Sequence, residues 1–268
     1  MMTELEDLVA VNNQLTGSLP VEFHALTKLK RLILSENQLT GSFPEGFLVS
    51  APIEIILLAN NAFSGELPLS LGRLPTLRQL LLSGNQFSGV IPDTLDNLPS
   101  LFSLDLSNNA LQGEVPQSIY NIGTLENLFL NGNSGLIGTL GSNISGLHSL
   151  VALRLAGTKF GMELPPQLFL LENLQELDLS GCEFSGELSP AFGHLAENLQ
   201  ILNLKNNLFS GPVPAAFAAL SRLIILELEG NDLTGELPLA ICELQRLDTL
   251  TVDCAEVACT CCTNCVSP

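Results

Sequence analysis

The chain is poor in aromatic residues, in charges and above all in basic side chains. Among its 268 residues there is no Trp and only one Tyr, and 14% are charged. The 10 Lys and Arg residues stand against 28 Asp and Glu residues, which gives a formal net charge of −18. Nucleic acids and anionic membrane surfaces are both bound through clustered Lys and Arg. The composition therefore argues against both kinds of partner.

Long apolar runs are also missing, and we expect no secretory leader within the given residues. Aliphatic stretches such as 55–58 and 223–226 are bounded by polar residues, whereas a membrane-spanning helix needs roughly 18 to 20 apolar residues. Glu4, Glu6 and Asp7 stand where a basic segment followed by an apolar one would open a signal peptide. We expect no membrane insertion within this chain.

What the sequence does contain is an internal repeat of 24 or 25 residues. The pattern L-x-x-L-x-L-x-x-N-x-L-x-G-x-L/I/V-P returns along nearly the whole chain, with its Asn at Asn13, Asn37, Asn61, Asn85, Asn109, Asn133, Asn207 and Asn231. Thr158 and Cys182 fill the Asn position in two further copies. Ten repeats and an eleventh strand at 247–252 account for almost all residues.

Each copy of the pattern predicts one short strand. The period of two in Leu104-x-Leu106 turns both leucines into the core, and it predicts that Ser103, Asp105 and Ser107 face solvent. Successive strands then stack as a parallel sheet with a spacing of about 4.8 Å. The next apolar position of each copy is predicted to join the core: Leu15, Leu39, Phe63, Phe87, Leu111, Phe160, Phe184, Phe209 and Leu233. Stacked repeats share one continuous core.

The second half of the pattern carries a family resemblance. Residues 15–20 read Leu-Thr-Gly-Ser-Leu-Pro, 87–92 read Phe-Ser-Gly-Val-Ile-Pro, and 233–238 read Leu-Thr-Gly-Glu-Leu-Pro. This half resembles the L-x-G-x-I-P of plant-type leucine-rich repeat proteins, over about residues 5–252. The resemblance implies a second, lateral sheet, a right-handed superhelix, and a recognition module of secreted proteins and receptor ectodomains. The N-terminal Cys-containing cap of plant members is absent, and the C-terminal Cys cluster resembles that of diatom leucine-rich repeat proteins.

The expected fold is thus an α/β repeat solenoid with a parallel concave sheet and short helical turns on the convex side. It occupies 1–252, and a Cys-rich cap occupies 253–268. Most of the cysteines lie near this end: Cys242, Cys254, Cys259, Cys261, Cys262 and Cys265. We expect disulfides that close the end of the solenoid, with zinc binding as the alternative because Cys262-x-x-Cys265 has zinc-like spacing. Cys182 is predicted to be a buried, inert thiol.

No enzyme constellation is visible. The three histidines lie in different repeats, and each precedes the strand of its repeat: His24, His148 and His194. They therefore do not converge into a catalytic arrangement with Ser, Cys or Asp. The Gly residues are turn formers at a fixed register, with no phosphate-binding loop. We expect a protein that is not an enzyme and that has no cofactor and no metal site.

The outward positions of the concave sheet supply the candidate binding site. Its central row begins with four aliphatic residues, Val9, Ile33, Leu57 and Leu81, where solvent-facing positions are normally polar. An exposed apolar strip rimmed by polar residues indicates a contact surface. The alternative is that these side chains are tolerated in the sheet or cover one another. The complete candidate set is Val9, Ile33, Ile55, Leu57, Leu81, Phe102, Asp105, Phe129, Arg154 and Asp178.

From the eighth repeat onward the same face becomes acidic, through Glu176, Asp178, Glu227, Glu229, Asp248 and Asp253. This half is expected to favour a basic or polar partner.

The repeat pattern is irregular from 133 to 190, where Met162 replaces the turn Gly. This irregularity indicates either a local bulge that serves binding or the drift of one repeat.

Asn143-Ile144-Ser145 is the N-glycosylation sequon of the chain and fits a secreted protein. Disulfides require an oxidising compartment, so we expect an extracellular or cell-surface location, and we expect the sequence to be part of a longer protein or one with a lost start. A cytosolic chain with reduced cysteines is the alternative.

The predicted function is non-enzymatic recognition of a protein, peptide or glycan, in the manner of a receptor ectodomain. A homodimer through the concave face would use the same surface. One alternative is a secreted inhibitor of a foreign hydrolase, like the polygalacturonase-inhibiting members of the family. Another is a structural or ice-contacting protein that uses a hydroxyl row on the lateral sheet. This row consists of Thr16, Thr40, Ser64, Ser88, Ser185, Ser210 and Thr234. A neighbouring row of Glu residues makes the surface charged and less flat, which argues against ice contact.

Overall fold

The structure is a computed structural model that describes the backbone of residues 3–266 and the side chains of residues 3–263. The chain forms two compact units, Met1–Ile137 and Gly138–Pro268. Both units consist of stacked copies of the repeat, and each copy supplies a strand to a first sheet, a strand to a second sheet and a return segment. The predicted leucine-rich repeat fold is confirmed in both units.

In the first unit, the L-x-L segments form the concave sheet. Its strands pair in parallel, one repeat with the next, and the leucines at their centres align. The strands are Asp7–Val9, Arg31–Ile33, Ile55–Leu57, Gln79–Leu81, Ser103–Asp105 and Asn127–Phe129.

The lateral sheet of the first unit comes from the x-L-x-G segments. Its strands are Thr16–Gly17, Gln38–Gly41, Ala62–Glu66, Gln86–Gly89, Ala110–Glu114 and Gly135–Gly138. The return segments contain 3-10 turns, which begin directly after Pro20, Pro68, Pro92 and Pro116. Pro suits this position for two reasons: its ring fixes φ, and it has no backbone N–H with which to continue the preceding ladder of hydrogen bonds. The turns are Val21–Ala25, Leu69–Arg73, Asp93–Asn97 and Gln117–Asn121.

The second unit repeats this plan. Its concave strands are Ala152–Arg154, Glu176–Asp178, Ile201–Asn203, Ile225–Glu227 and Thr249–Asp253. Its lateral strands are Lys159–Met162, Glu183–Glu187, Leu208–Gly211 and Asp232–Leu233. Its 3-10 turns are Ser142–Gly146, Pro166–Leu170, Pro190–Leu195 and Ala215–Ala219.

The C-terminal segment adds structure that the repeat pattern does not predict. After the short α-helix Leu239–Cys242, strand Val257–Ala258 pairs with Gly235–Glu236, and strand Asn264–Val266 pairs with Thr249–Asp253. The Thr263 hydroxyl accepts a hydrogen bond from the Leu250 amide at 2.9 Å. The last repeat is therefore covered by backbone from the Cys-rich segment.

The core consists of the inward leucines and of phenylalanines whose rings stack between neighbouring repeats. Leu32, Leu80 and Leu104 have no exposed surface. Phe63 and Phe87 stack with ring centroids 6.2 Å apart, and Phe184 and Phe209 do the same at 6.5 Å. Burial of each such side chain stabilises the fold by about 1.5 to 3 kcal/mol.

The Asn position forms a second stabilising element, a ladder of hydrogen bonds. The Asn61 side-chain amide donates to the carbonyls of Leu34 and Leu58 at 3.0 and 3.1 Å, and its carbonyl accepts from the Leu39 amide at 3.0 Å. The same contacts recur at Asn37, Asn85, Asn109, Asn133, Asn207 and Asn231. One side chain therefore satisfies backbone groups of its own repeat and of the preceding one.

The predicted burial was wrong at three residues, Ser103, Ser107 and Leu15. Ser103 and Ser107 are buried, with 7% and 6% of their surface exposed. Ser103 lies between the longer side chains of Gln79 and Asn127, which cover it. At Ser107, the backbone amide donates a hydrogen bond to the Asp105 carboxylate at 3.0 Å, so the Asp105 side chain lies close to this residue. Leu15 is 41% exposed because a neighbouring repeat covers it on one side only.

Leu106→Ala is expected to lower the free energy of unfolding by about 2 to 5 kcal/mol, because Leu106 is 1% exposed and its truncation leaves a cavity. Gln112→Ala is the control, since Gln112 is exposed in the same repeat, and its effect should stay within about 0.5 kcal/mol. Urea denaturation monitored by circular dichroism measures both. Equal effects would mean that the assigned core register is incorrect.

Candidate functional site

The concave face of the first unit carries the apolar row, which we define as Val9, Ile33, Leu57 and Leu81. The strand register places each of these residues directly beside the next. Val9 is 57% exposed, and the other three are half-buried. Because adjacent strands lie about 4.8 Å apart, neighbouring side chains shield one another. Mutual covering, which the sequence left open, therefore accounts for part of the row's burial.

Two further predicted residues extend this apolar surface. Ile55 lies between Arg31 and Gln79 in the adjacent row and is half-buried. Phe102 is also half-buried, and the Arg78 guanidinium lies 5.9 Å from its ring centroid. A cation at this distance from an aromatic ring is attracted to its face. Ile55 and Phe102 thus extend the apolar surface toward the N-terminal ends of the strands.

Ion pairs between neighbouring repeats form a polar rim at the start of the row. The Arg31 guanidinium donates to both Asp7 carboxylate oxygens, at 2.5 and 2.7 Å. Lys30 donates to Glu6 at 2.8 Å. The hydrogen bond from Arg31 holds the pKa of Asp7 below its usual value. These charges neutralise each other in pairs, so the apolar row is the part of this face that is left for contact with a partner.

Asp105 and Phe129 follow the apolar row on the next two strands of the first unit. The register places Asp105 between Leu81 and Phe129. Asp105 is half-buried, and its carboxylate is engaged with the Ser107 amide. Phe129 is half-buried as well. The structure therefore brings the predicted apolar residues of 3–137 together on one face.

The second unit presents a polar concave face. Its central row contains Arg154, Asp178, Asn203 and Glu227, in register along adjacent strands. Arg154 is held by Glu176 through two hydrogen bonds, of 2.6 and 2.9 Å. Thr251, which continues this row, is 5% exposed.

The acidic residues of this unit exceed its cations. Lys205 pairs with Glu227 at 2.9 Å, and this hydrogen bond raises the pKa of Lys205. Asp178 accepts from the Ser180 amide at 3.0 Å, and Asp253 accepts from the Gly230 amide at 2.7 Å. Backbone amides thus hold the carboxylates of Asp178 and Asp253 in place.

The predicted disulfides are present in the C-terminal segment. Cys242 is bonded to Cys261, and Cys259 to Cys262. Cys254 is disulfide-bonded too, while the side chain of Cys265 lies outside the described residues. Because these sulfurs are joined to each other, they are not thiolate ligands for zinc.

Cys182 and Asn143 lie where the repeat pattern placed them. Cys182 is 8% exposed in the Asn position, and burial raises the pKa of its thiol. The Thr158 hydroxyl lies 3.5 Å from its sulfur and donates to the Leu155 carbonyl at 2.6 Å. Asn143 is half-buried in the turn Ser142–Gly146; its glycosylation stays a prediction.

The described residues show no grouping of three His, Cys, Asp or Glu side chains that could hold a metal ion. Likewise, none of the helices within 3–266 has the length and apolar character to span a bilayer. The lateral sheet of the second unit also contains a hollow beside Met162, within the segment 133–190 where the repeat pattern is irregular.

The comparisons with known proteins agree on the repeat. The family model described as leucine rich repeat matches residues 52–111, 75–134 and 172–233, and a second leucine rich repeat model matches residues 28–49. No curated protein sequence matches the chain.

Several solved structures are similar to the chain. The plant peptide hormone receptor RGFR1, in complex with RGF2, is 33% identical over 93% of this chain and 40% of that one, with a TM-score of 0.88. The Arabidopsis receptor kinase HAESA, in complex with the peptide hormone IDA and the co-receptor SERK1, is 32% identical over 93% of this chain and 41% of that one, with a TM-score of 0.87. The chain therefore spans about two fifths of these receptor chains.

A plant ice-binding protein is 25% identical over 97% of this chain and 83% of that one, with a TM-score of 0.77.

Proposed function

Because this chain belongs to the leucine-rich repeat family, we propose that it is a non-enzymatic recognition module that binds a peptide or protein segment on its concave face. The observation that carries the proposal is the apolar row of the first unit. Its side chains lie in register on four adjacent strands, at positions that point away from the core. A partner that covers them removes apolar surface from water, which contributes about 25 cal/mol per Å².

The chemistry of the face favours a peptide over a glycan. The apolar row offers aliphatic surface and no hydrogen-bond partner for sugar hydroxyls, and a polar group that is buried without a partner costs about 1 to 3 kcal/mol. An extended peptide instead places alternate apolar side chains on such a surface. Phe102 and Arg78 supply a further contact for an aromatic or apolar residue at one side of the row.

The acidic concave face of the second unit favours a partner with basic residues. Glu176 and Glu227 are each paired with a cation, whereas Asp178 and Asp253 are held by backbone amides. With a net charge of −18, the chain attracts cationic partners over a distance of about one Debye length, near 8 Å at physiological salt. We therefore expect a ligand that combines apolar and basic side chains.

The comparisons support this class of ligand. RGFR1 and HAESA are described in complex with peptide hormones, and HAESA with a co-receptor as well. The disulfides of the C-terminal segment support an extracellular or cell-surface location, because such bonds persist in oxidising compartments.

The hydroxyl row of the lateral sheet does not favour ice binding in the same way. Gln112 and Ile137 interrupt the row in the first unit, and Gly161 interrupts it in the second. The charged residues Glu66, Glu114 and Glu163 stand in the neighbouring row and are exposed. Recognition on the concave face is therefore the better-supported function.

Selection from a phage-displayed library of random linear peptides tests the proposal. We expect enriched peptides to combine apolar and basic residues, and to lose binding when the selected clones are screened against Leu57→Glu with Leu81→Glu. Glu227→Gln with Glu229→Gln is the matched variant on the acidic face. It should weaken binding mainly at low salt, because it removes charge and not apolar contact.

A selection that yields no specific peptide, or peptides that bind the Leu57→Glu, Leu81→Glu protein equally well, would contradict the proposal. Sedimentation velocity of the unliganded protein is done first, since a homodimer that uses the apolar row would compete with peptides. Such a dimer should dissociate in the double Glu variant.

A further inference from the structure

The lateral sheet of the second unit contains a hollow beside the strand Lys159–Met162. The hollow has a volume of about 440 Å³ and is lined by Thr139, Leu140, Met162, Glu163 and Ser185. We call it the Met162 hollow. It lies where the strand Lys159–Met162 runs beside Glu183–Glu187, on a different sheet from the concave residues.

Gly161 precedes Met162 on the strand beside the hollow and carries no side chain. The equivalent positions of the following repeats are Ser185, Ser210 and Thr234. A Cβ atom at Gly161 would lie 3.0 Å from the Glu183 carbonyl oxygen and 3.3 Å from the Glu183 Cβ, closer than ordinary contact. The close approach of the two strands therefore disfavours a side chain at this position.

Met162 forms an apolar wall of the hollow. Its φ is +72°, in the left-handed region that the following repeats reach with Gly186, Gly211 and Gly235. Its side chain is 68% exposed. A side chain in this conformation is strained. The strained backbone and the exposed apolar side chain therefore lie together at the hollow, where Met162 is available for contact with a partner.

Glu163 supplies a fixed negative charge at the edge of the hollow. Its stem lies over Gly186, since a Cβ atom there would be 2.8 Å from the Glu163 Cγ. Glu187 lies over Gly211 in the same way, at 3.2 Å. Within residues 3–263 neither carboxylate pairs with a Lys or Arg. Two exposed carboxylates at equivalent positions of successive repeats favour a cation between them.

We propose that the Met162 hollow is a second contact site, which takes an apolar side chain of a protein partner whose neighbouring residue is Lys or Arg. The apolar side chain packs against Met162 and Leu140, and the cation reaches Glu163 and Glu187. The site shares no residue with the apolar row, so binding of this partner at the hollow requires no contact with Val9, Ile33, Leu57 or Leu81.

The three methionines of the chain make the test direct, because two of them are Met1 and Met2. Protein labelled with ¹³C at the methionine methyl groups gives one signal that reports on the hollow. It is titrated with the peptide acetyl-Gly-Leu-Lys-Gly-amide. The Met162 methyl signal should shift and saturate with a Kd on the order of 1 mM. The same titration with acetyl-Gly-Ala-Lys-Gly-amide and acetyl-Gly-Leu-Glu-Gly-amide tests the apolar and the basic requirement separately.

Glu163→Gln with Glu187→Gln is the matched variant that keeps the reporter. It should weaken binding of the Leu-Lys peptide by about two- to fivefold, the effect of an exposed ion pair. Leu57→Glu with Leu81→Glu should leave the titration unchanged, so a failure of the concave proposal is distinguished from a failure of this one. A Met162 signal that does not move, or that moves equally with all three peptides, would overturn the inference.

Discussion

Asn133→Ala is expected to lower the free energy of unfolding by about 3 to 5 kcal/mol, one of the largest effects of any single substitution in the chain. Asn133 has no exposed surface. Its side-chain amide donates to the carbonyls of Leu106 and Leu130, both at 2.9 Å, and its carbonyl accepts from the Leu111 amide at 3.1 Å. Truncation leaves buried backbone groups without this partner, at about 1 to 3 kcal/mol for each unsatisfied group.

Asn13→Ala is the matched control. Asn13 occupies the same repeat position but is exposed, and its amide donates to the Val11 carbonyl at 2.9 Å. We expect a loss below about 1 kcal/mol for this variant. Guanidinium denaturation followed by circular dichroism measures both. If the two variants lose the same stability, the Asn ladder is not what holds the repeats together.

Removal of the Cys242–Cys261 bond, by Cys242→Ser with Cys261→Ser, should lower the free energy of unfolding by about 3 kcal/mol. The bond closes a loop with a sequence separation of 19. It joins the helix Leu239–Cys242 to the segment that precedes strand Asn264–Val266. That strand pairs with Thr249–Asp253, so the bond keeps a covering strand on the last repeat.

Cys259→Ser with Cys262→Ser supplies the comparison, because its loop has a sequence separation of 3. In the chain-entropy model a shorter loop gives a smaller effect, about 1.5 kcal/mol here. Denaturation of both variants without reductant, with Cys182 unchanged, measures the difference. A greater loss for the short loop would show that this disulfide acts by shaping the native segment.

The repeated parts of the fold were predictable from the sequence for a physical reason. Each copy must present its leucines to the same core as its neighbours, so the period of 24 or 25 residues and the L-x-L spacing together define strand, register and inward face. Leu32, Leu80 and Leu104 are all fully buried as predicted. The Asn side chains make the backbone contacts that their position at the turn indicated.

The errors lie where the environment of a residue depends on neighbouring repeats. Ser103 was predicted to face solvent from the period of two, but its flanking residues Gln79 and Asn127 carry longer side chains and cover it. The strands Val257–Ala258 and Asn264–Val266 lie in a segment without a repeat, so no periodicity predicted them.

The candidate site was predictable as a row of residues but not as a surface. Sequence spacing placed Val9, Ile33, Leu57 and Leu81 on one face, and the strand register confirms that alignment. How strongly the side chains shield one another required the structure. The Met162 hollow lies beside Met162, whose positive φ the repeat pattern did not reveal.

The account's central claim, that the apolar row binds a peptide or protein segment, is tested most directly by isothermal titration calorimetry with one selected peptide. The peptide is titrated into the natural protein and into the Leu57→Glu, Leu81→Glu variant, after circular dichroism has shown that the variant is folded. Leu57→Thr with Leu81→Thr replaces it if the charged variant fails to fold. Because each buried Leu contributes about 1.5 to 3 kcal/mol, we predict at least a tenfold increase in Kd, about 1.4 kcal/mol. An unchanged Kd in a folded variant would contradict the claim.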